Sequence, residues 1–452
     1  MFDSPTAGTA QDNMSRGAAL CASMISSWTR ALSEIGGDPS DADPSDADRI
    51  DQIRALEELT CAAQAVQASL AADFDASQRE RAAAAGVPAQ RRGRGIAEQI
   101  ALARRESPHR GRQHLGLATV LRNEMPHTMA AFRAGRLTEW RATLLARETA
   151  CLSLADRGEV DRSLSADPQR LEAMGDGELV GAAKKLAYAL DAASFVARRR
   201  RAEADRRVTI RPAPDVMSHL SALLPVAEGV ALFAALRTHA DGLIATGDPR
   251  GRGQIMADTL VQRVTGRGAA DAQPVAVNLV VSDRSLLGDD ECAAYVEGYG
   301  PVPADLAREL VSSAQSASLR RLYVKPGTGD LVAVESRSRR FPAGLVRLIR
   351  LRDQTCRTPW CDAAVRHVDH VESVDEGGAT SAANGQGLCE GCNYAKQAPG
   401  WRARPSSGRR HTVTTATPTG HTYRSTAPPP PVSRGTPQSR VELFFVDLVL
   451  AA

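Results

Sequence analysis

Four cysteines bracket a single Asp-His step near the C-terminus of this 452-residue chain. Cys356 and Cys361 stand in CRTPWC, Cys389 and Cys392 in CEGC, and Asp369-His370 falls between the two pairs. Two short cysteine pairs a few tens of residues apart are what one tetrahedral Zn²⁺ takes, because each pair presents two thiolates from one tight knuckle. The competing reading, two disulfides or four unrelated buried thiols, is weaker for an intracellular chain, where thiols are kept reduced.

The stretch between the pairs has few apolar residues, and Gly377-Gly378 marks a turn in it, so its folding is expected to depend on the metal. The staple would hold Arg366-His367-Val368-Asp369-His370-Val371, which alternates like a strand and sets Asp369 and His370 on opposite faces. After the turn come Asn384 and then Cys392-Asn393-Tyr394-Ala395-Lys396, a short helix leaving the second knuckle.

From about Arg352 to Trp401 these residues resemble the HNH endonucleases, which have a ββα-metal fold: the cysteine knuckles, the DH step, the EGGAT turn, the asparagine of SAANGQGLC, and CNYAK. The resemblance implies His370 as general base, Asp369 as a ligand of a catalytic divalent metal, Asn384 as the brace of the loop, and Asn393 as the second ligand. Asn393 stands where the family more often has histidine.

Phosphodiester hydrolysis suits these residue types. A neutral imidazole, with an unperturbed pKa of about 6.5, can take a proton from the attacking water. A hard cation on the oxygens of Asp369 and Asn393 would stabilise charge on the phosphate and the leaving oxygen, which fits Mg²⁺ or Mn²⁺. Such an oxygen pair does not compete for Zn²⁺ with four thiolates, so two metals with separate jobs are expected: Mg or Mn for catalysis, Zn for structure. His367 shares a strand face with Asp369, but is read as packing against the knuckle or meeting a phosphate rather than as a third ligand.

The net charge of +3 is near balance and argues neither for nor against a polyanionic partner. Its distribution is more telling. From Arg320 through Arg410 sixteen Arg and Lys face nine Asp and Glu, a basic surface where the motif lies. DNA is therefore the expected partner, with RNA left open. Arg340, Arg347 and Lys396 are the expected phosphate contacts, and Arg337, Arg339 and Arg350 are further candidates. A rival from another class is a catalytically silent, zinc-stabilised module that binds nucleic acid or protein. The Asp369-His370 pair argues against it, because a binding module needs no base beside a metal ligand.

What must position this site is an α+β chain that is mainly helical towards its N-terminus. Residues 1–50, with the duplicated DPSDADPSDAD, read as disordered or linker. Residues 51–205 read as a helical domain. Its first helix carries Ile53, Leu56, Leu59, Ala63, Val66, Leu70 and Phe74 at three- and four-residue spacing. Ser107 and Thr138 are expected N-caps, Pro108 a first-turn proline, and Gly135 a helix stop. The stretch from Asp176 to Arg207 reads as one basic-ended helix. His109, His114 and His127 have no carboxylate or cysteine at ligand spacing and are expected to be solvated or satisfied structurally. Much of residues 50–335 also resembles the helical domain of unknown function that often precedes bacterial HNH modules.

Residues 206–335 read as an α/β section. It contains the strands RRVTIRPAP and AVNLVVSD, a helix across SHLSALLPVAEGVALFAALRTHADGL, and a hairpin turning at PGTG. Residues 336–402 are the expected HNH nuclease module, entered by a basic helix. Residues 403–452 supply a hairpin turning at PTG, a proline-rich spacer and the apolar tail VELFFVDLVLAA. The tail is too short to span a bilayer and is expected to dock on the helical domain or on another copy, giving a homo-oligomer. No targeting segment or membrane span is read in the sequence, so the expected location is cytoplasmic.

Overall fold

The computed structural model describes residues 22–34, 45–268, 278–288, 290–314, 340–406 and 410–429. They form two units, residues 1–60 and 61–452. The fold is α+β. In the first unit lie α1 (Ala22–Glu34), inside the stretch expected to be linker, and the start of α2 (Asp46–Ala84), which begins five residues before Asp51.

The helical domain continues through α3 (Ile96–Arg104), α4 (Pro108–Asn123), α5 (Pro126–Arg133), α6 (Glu139–Glu148), α7 (Leu154–Ser165), α8 (Pro168–Ala173), α9 (Asp176–Leu190) and α10 (Ala192–Ala204). Leu117, Leu121, Met125, Phe132, Leu145, Val160, Leu164 and Leu179 fill its core. On α2 the buried face is Cys61, Ala65, Ala68, Ala71 and Ala72, not the larger aliphatic stripe, of which Ile53, Leu56, Leu59 and Leu70 are exposed. Alanines let the neighbouring helices approach closely, so packing followed the small side chains rather than the most hydrophobic ones.

The caps follow the local sequence. The side chains of Ser107 and Thr138 accept from the backbone N–H of Arg110 and Arg141, and Pro108 opens α4. Where one basic helix was expected, Asp191 breaks the chain into α9 and α10, because its carboxylate caps α10 by accepting from Ser194 N. The start of α5 is capped from a distance. Buried Asp161 on α7 accepts from the N–H of His127 and Thr128 at 2.8 Å each, satisfying amides that Pro126 leaves at the helix mouth.

In the middle section β1 (Arg207–Pro212) pairs antiparallel with β2 (Ser218–Leu223), followed by α11 (Val226–Ala245) and α12 (Arg252–Thr265). SHLSAL is thus a strand rather than a helix start, and the helix begins only after Pro225 fixes its first turn. A small sheet of β3 (Leu279–Val280), β4 (Ala294–Val296) and β5 (Gly300–Val302) packs with α14 (Ala304–Ser312), which α13 (Asp283–Leu287) meets in turn, Arg308 donating to Ser285 O. The expected PGTG hairpin, the spacer and the apolar tail lie outside the described residues.

The C-terminal part starts with the basic helix α15 (Ala343–Asp353), continues into the hairpin of β6 (His367–His370) and β7 (Gly385–Leu388), and then α16 (Glu390–Lys396). This is a ββα arrangement. A sheet ordered β10-β9-β8 follows, built from β8 (Arg402–Ser406), β9 (Thr412–Ala416) and β10 (Thr422–Thr426). The sequence had indicated only its last two strands. Asp353 is buried at the end of α15. It pairs with Arg352 at 2.7 Å and accepts from Gly387 N at 2.7 Å, so a buried carboxylate pins α15 to β7. Arg357 carries the tie onward by donating to Ser425 O at 2.6 Å.

Candidate functional site

The four cysteines converge. The sulfurs of Cys356, Cys361, Cys389 and Cys392 all lie within 4.8 Å of one another. Cys389 also caps α16, its sulfur accepting from Cys392 N at 3.4 Å, so one residue shapes the knuckle and starts the helix. The apolar cluster at the knuckles is the cysteines themselves plus Leu388, so folding of the knuckles is expected to be coupled to metal binding. Four thiols this close cannot ionise independently. Hydrogen bonding with Cys356 and Cys361 pulls Cys389 well below the ordinary thiol range, while contact with Cys356 pushes Cys392 up. A central cation would resolve that conflict, and a buried all-sulfur set fits zinc.

Asp369 and His370 sit side by side on β6, opposite Gln386 and Gly385 of β7. His370 is 8% exposed, and its ring packs on Phe341 with centroids 4.5 Å apart. His370 Nε2 is 2.9 Å from the buried Thr380 hydroxyl, and Nδ1 is 4.0 Å from Asp369 Oδ1. The Thr380 hydroxyl can donate to Nε2 or accept from it, so this contact orients the ring in either neutral tautomer.

Asn384 spans the loop between the two strands. Its Oδ1 accepts from Glu372 N at 2.9 Å, and its Nδ2 donates to Glu372 O at 3.0 Å and to Ala379 O at 2.9 Å. Such a close approach requires Gly378, since a Cβ there would stand 2.0 Å from Glu372 O.

Asn393 and Lys396 are three residues apart on α16, hence on one helix face, and α16 packs against β6. Lys396 Nζ is 2.6 Å from Asp369 Oδ2 and also donates to the His370 carbonyl, so this expected phosphate contact is engaged inside the site. Asn393 Oδ1 is buried and accepts no hydrogen bond among the described residues. An orphaned buried acceptor on the helix that packs against β6 is a donor that an oxygen-ligated cation could use.

Arg347 and Arg350 are exposed on α15, and Arg340 is exposed just before it; Arg337 and Arg339 lie outside the described residues. His367 is exposed. Three participants were not legible in the sequence. Thr380 and Phe341 fix the imidazole from other segments, and His411 donates from Nε2 to Ala383 O at 2.9 Å behind the Asn384 loop. A threonine ten residues from its histidine carries no motif. In the helical domain His114 is buried between Glu106 and Glu139, at 2.7 and 2.8 Å, partners too distant in sequence to suggest a pair.

Among the described residues no helix is long and apolar enough to cross a membrane.

Comparison with known proteins places the two parts. Residues 50–353 match the family model described as "Domain of unknown function (DUF222)", and residues 354–398 match that of the HNH endonuclease. An HNH domain supports a nuclease-like function in general. The chain is 28% identical over 371 residues to the uncharacterized protein Rv3776 of Mycobacterium tuberculosis; the match covers 69% of this chain and 66%, just under two thirds, of the relative's length. No solved structure matches the chain. Because the first of these models spans more than half the sequence, the chain belongs to the DUF222 family, and it carries an HNH endonuclease domain directly after the matched DUF222 region.

Proposed function

We propose that the chain is a metal-dependent endonuclease that hydrolyses phosphodiester bonds in DNA, with His370 as general base. The observation that carries this reading is the imidazole held between Thr380 and Asp369, with one nitrogen occupied by the hydroxyl and the other turned towards the carboxylate. Water beside the ring gives up its proton to the imidazole as it attacks phosphorus, and the hydrogen bond to Thr380 fixes the orientation of the ring. Asn384 keeps the loop closed, so Thr380 stays in reach. Asp369 and Asn393 would hold Mg²⁺ or Mn²⁺, which supplies Lewis-acid stabilisation of the phosphate and the leaving oxygen. The four cysteines would hold Zn²⁺ and fix the relative positions of β6 and α16.

The Asp369–Lys396 pair favours a second reading, a catalytically silent zinc-stabilised binding module, because an ammonium already neutralises the carboxylate meant for the metal. Incubating supercoiled plasmid with the full chain and Mg²⁺ or Mn²⁺ separates the two. Cleavage that is lost in Asp369→Asn supports the nuclease. Absence of cleavage by the native chain with either metal supports the silent module.

A further inference from the structure

The HNH segment cannot by itself attract a polyanion. Residues 354–398 contain three basic residues against six acidic ones. Of the three, Arg357 is buried and tied to the β10 backbone, and Lys396 is tied to Asp369, leaving exposed Arg366. Duplex DNA presents a phosphate charge about every 1.7 Å along its axis, and binding strength follows the number neutralised. The cations must therefore come from neighbouring elements.

One neighbour is seated against α16. Gly95, the N-cap of α3, meets the nuclease segment so closely that a Cβ there would stand 3.1 Å from Ala398 Cβ and 2.6 Å from Trp401 Nε1. Only a residue without Cβ allows this approach, and Gly95 has φ +82°. At the other end of α16 the Arg112 guanidinium lies over Gly391, with Nη1 3.2 Å from the Cβ position, while pairing with Glu98 at 2.9 Å. The loop before Gly95 reads Arg91-Arg92-Gly93-Arg94. Arg92 is structural, its Nε donating to Val87 O at 2.9 Å. Arg91 and Arg94 are exposed, and neither has an acidic partner among the described residues. Ala398 is five residues from Asn393, roughly 8 Å along a helix. That length of duplex carries about five phosphates.

We propose that the basic loop at residues 91–95 of the helical domain forms part of a duplex-DNA footprint continuous with the nuclease module, with Arg91 and Arg94 on backbone phosphates. The inference rests on the nuclease reading for its ligand and gives the helical domain a share in binding. These contacts position the duplex without reading its sequence.

The test is a titration of the full chain with a fluorescent DNA duplex over a range of salt concentrations. It compares the native chain, R91Q/R94Q, and R200Q/R201Q, which removes the same charge from α10. Each phosphate contact contributes about 0.9 to the salt slope. R91Q/R94Q is expected to lower the slope by about 1 to 2 and to weaken binding roughly tenfold, with zinc content and helical signal unchanged; R200Q/R201Q is expected to keep the native slope. An unchanged slope in R91Q/R94Q, an equal loss in the control, or no binding by the native chain overturns the footprint. Plasmid cleavage run alongside keeps the two readings apart. Cleavage that depends on Asp369 with an unchanged slope removes the footprint alone. A reduced slope in a chain that cleaves nothing removes the nuclease alone.

Discussion

Lys396 on α16 and Asp369 on β6 form an ion pair of 2.6 Å beside the His370 ring, and the same ammonium holds the His370 carbonyl. One side chain thus ties the helix to the strand and places a positive charge on the carboxylate proposed to hold the catalytic metal. Replacing it has two opposed effects. Lys396→Met removes a competitor for Asp369, so the Mn²⁺ concentration giving half-maximal binding, measured by calorimetry, is expected to fall several-fold. Plasmid cleavage at saturating Mn²⁺ is expected to drop because the strand and helix are no longer tied. Weaker Mn²⁺ binding in this variant would show that Lys396 supports the metal rather than competing with it.

Asn393 gives a sharper test of the metal site. Its Oδ1 is buried with no hydrogen-bond partner among the described residues, which costs about 1 to 3 kcal/mol when nothing binds it. Asn393→Leu removes that cost, so thermal unfolding without divalent metal is expected to occur at an equal or higher temperature. The stabilisation that Mn²⁺ gives the native chain should disappear in the variant. If Mn²⁺ stabilised both chains equally, Asn393 would not be a ligand.

The sulfur site is predicted to hold the C-terminal module together. Cys389→Ser removes one ligand and weakens the cap of α16. Zinc content by atomic absorption should fall below one per chain, and limited proteolysis should digest the segment after Gln354 while the helical domain survives. Full zinc content with a resistant C-terminal fragment would refute the staple.

His411 supplies a pH dependence whose sign can be worked out. Burial and nearby Arg352 pull its pKa down to about 4, whereas the unfolded value is about 6.5. The folded state therefore keeps the ring neutral where the unfolded chain protonates it. Its contribution to stability is complete above pH 6.5 and is lost as pH falls from 6.5 towards 4, by about 3 kcal/mol overall. Comparing denaturant unfolding of the native chain and His411→Gln at pH 7.5 and 5.0 cancels the acid sensitivity of the thiolates. The native chain should lose more stability between the two; an equal loss would mean that His411 is protonated in the fold.

The parts of this architecture that were legible in the sequence rest on local chemistry. Ser107, Thr138 and Pro108 mark helix starts because capping acts within a single turn. The paired cysteines mark the metal centre because ligand spacing is a local constraint. What was hidden depends on the tertiary fold. Asp161 caps α5 from thirty-three residues away, Asp353 pins α15 to β7 across thirty-four, and Thr380 reaches His370 only once Asn384 has closed the loop. The tie of Lys396 to Asp369 is invisible in the sequence, where Lys396 reads as a phosphate contact, because sequence spacing does not reveal that α16 folds back onto β6. On α2 the hydrophobic pattern indicated the helix but not its buried face, because alanine packing outweighed side-chain hydrophobicity.

The most direct test of the account is chemical rescue at His370. Plasmid nicking by His370→Gly at saturating Mn²⁺ is predicted to run about 10² to 10⁴ times slower than with the native chain and to recover in part when free imidazole is added. Nicking by the variant at the native rate, with or without imidazole, would contradict the assignment of His370 as the base.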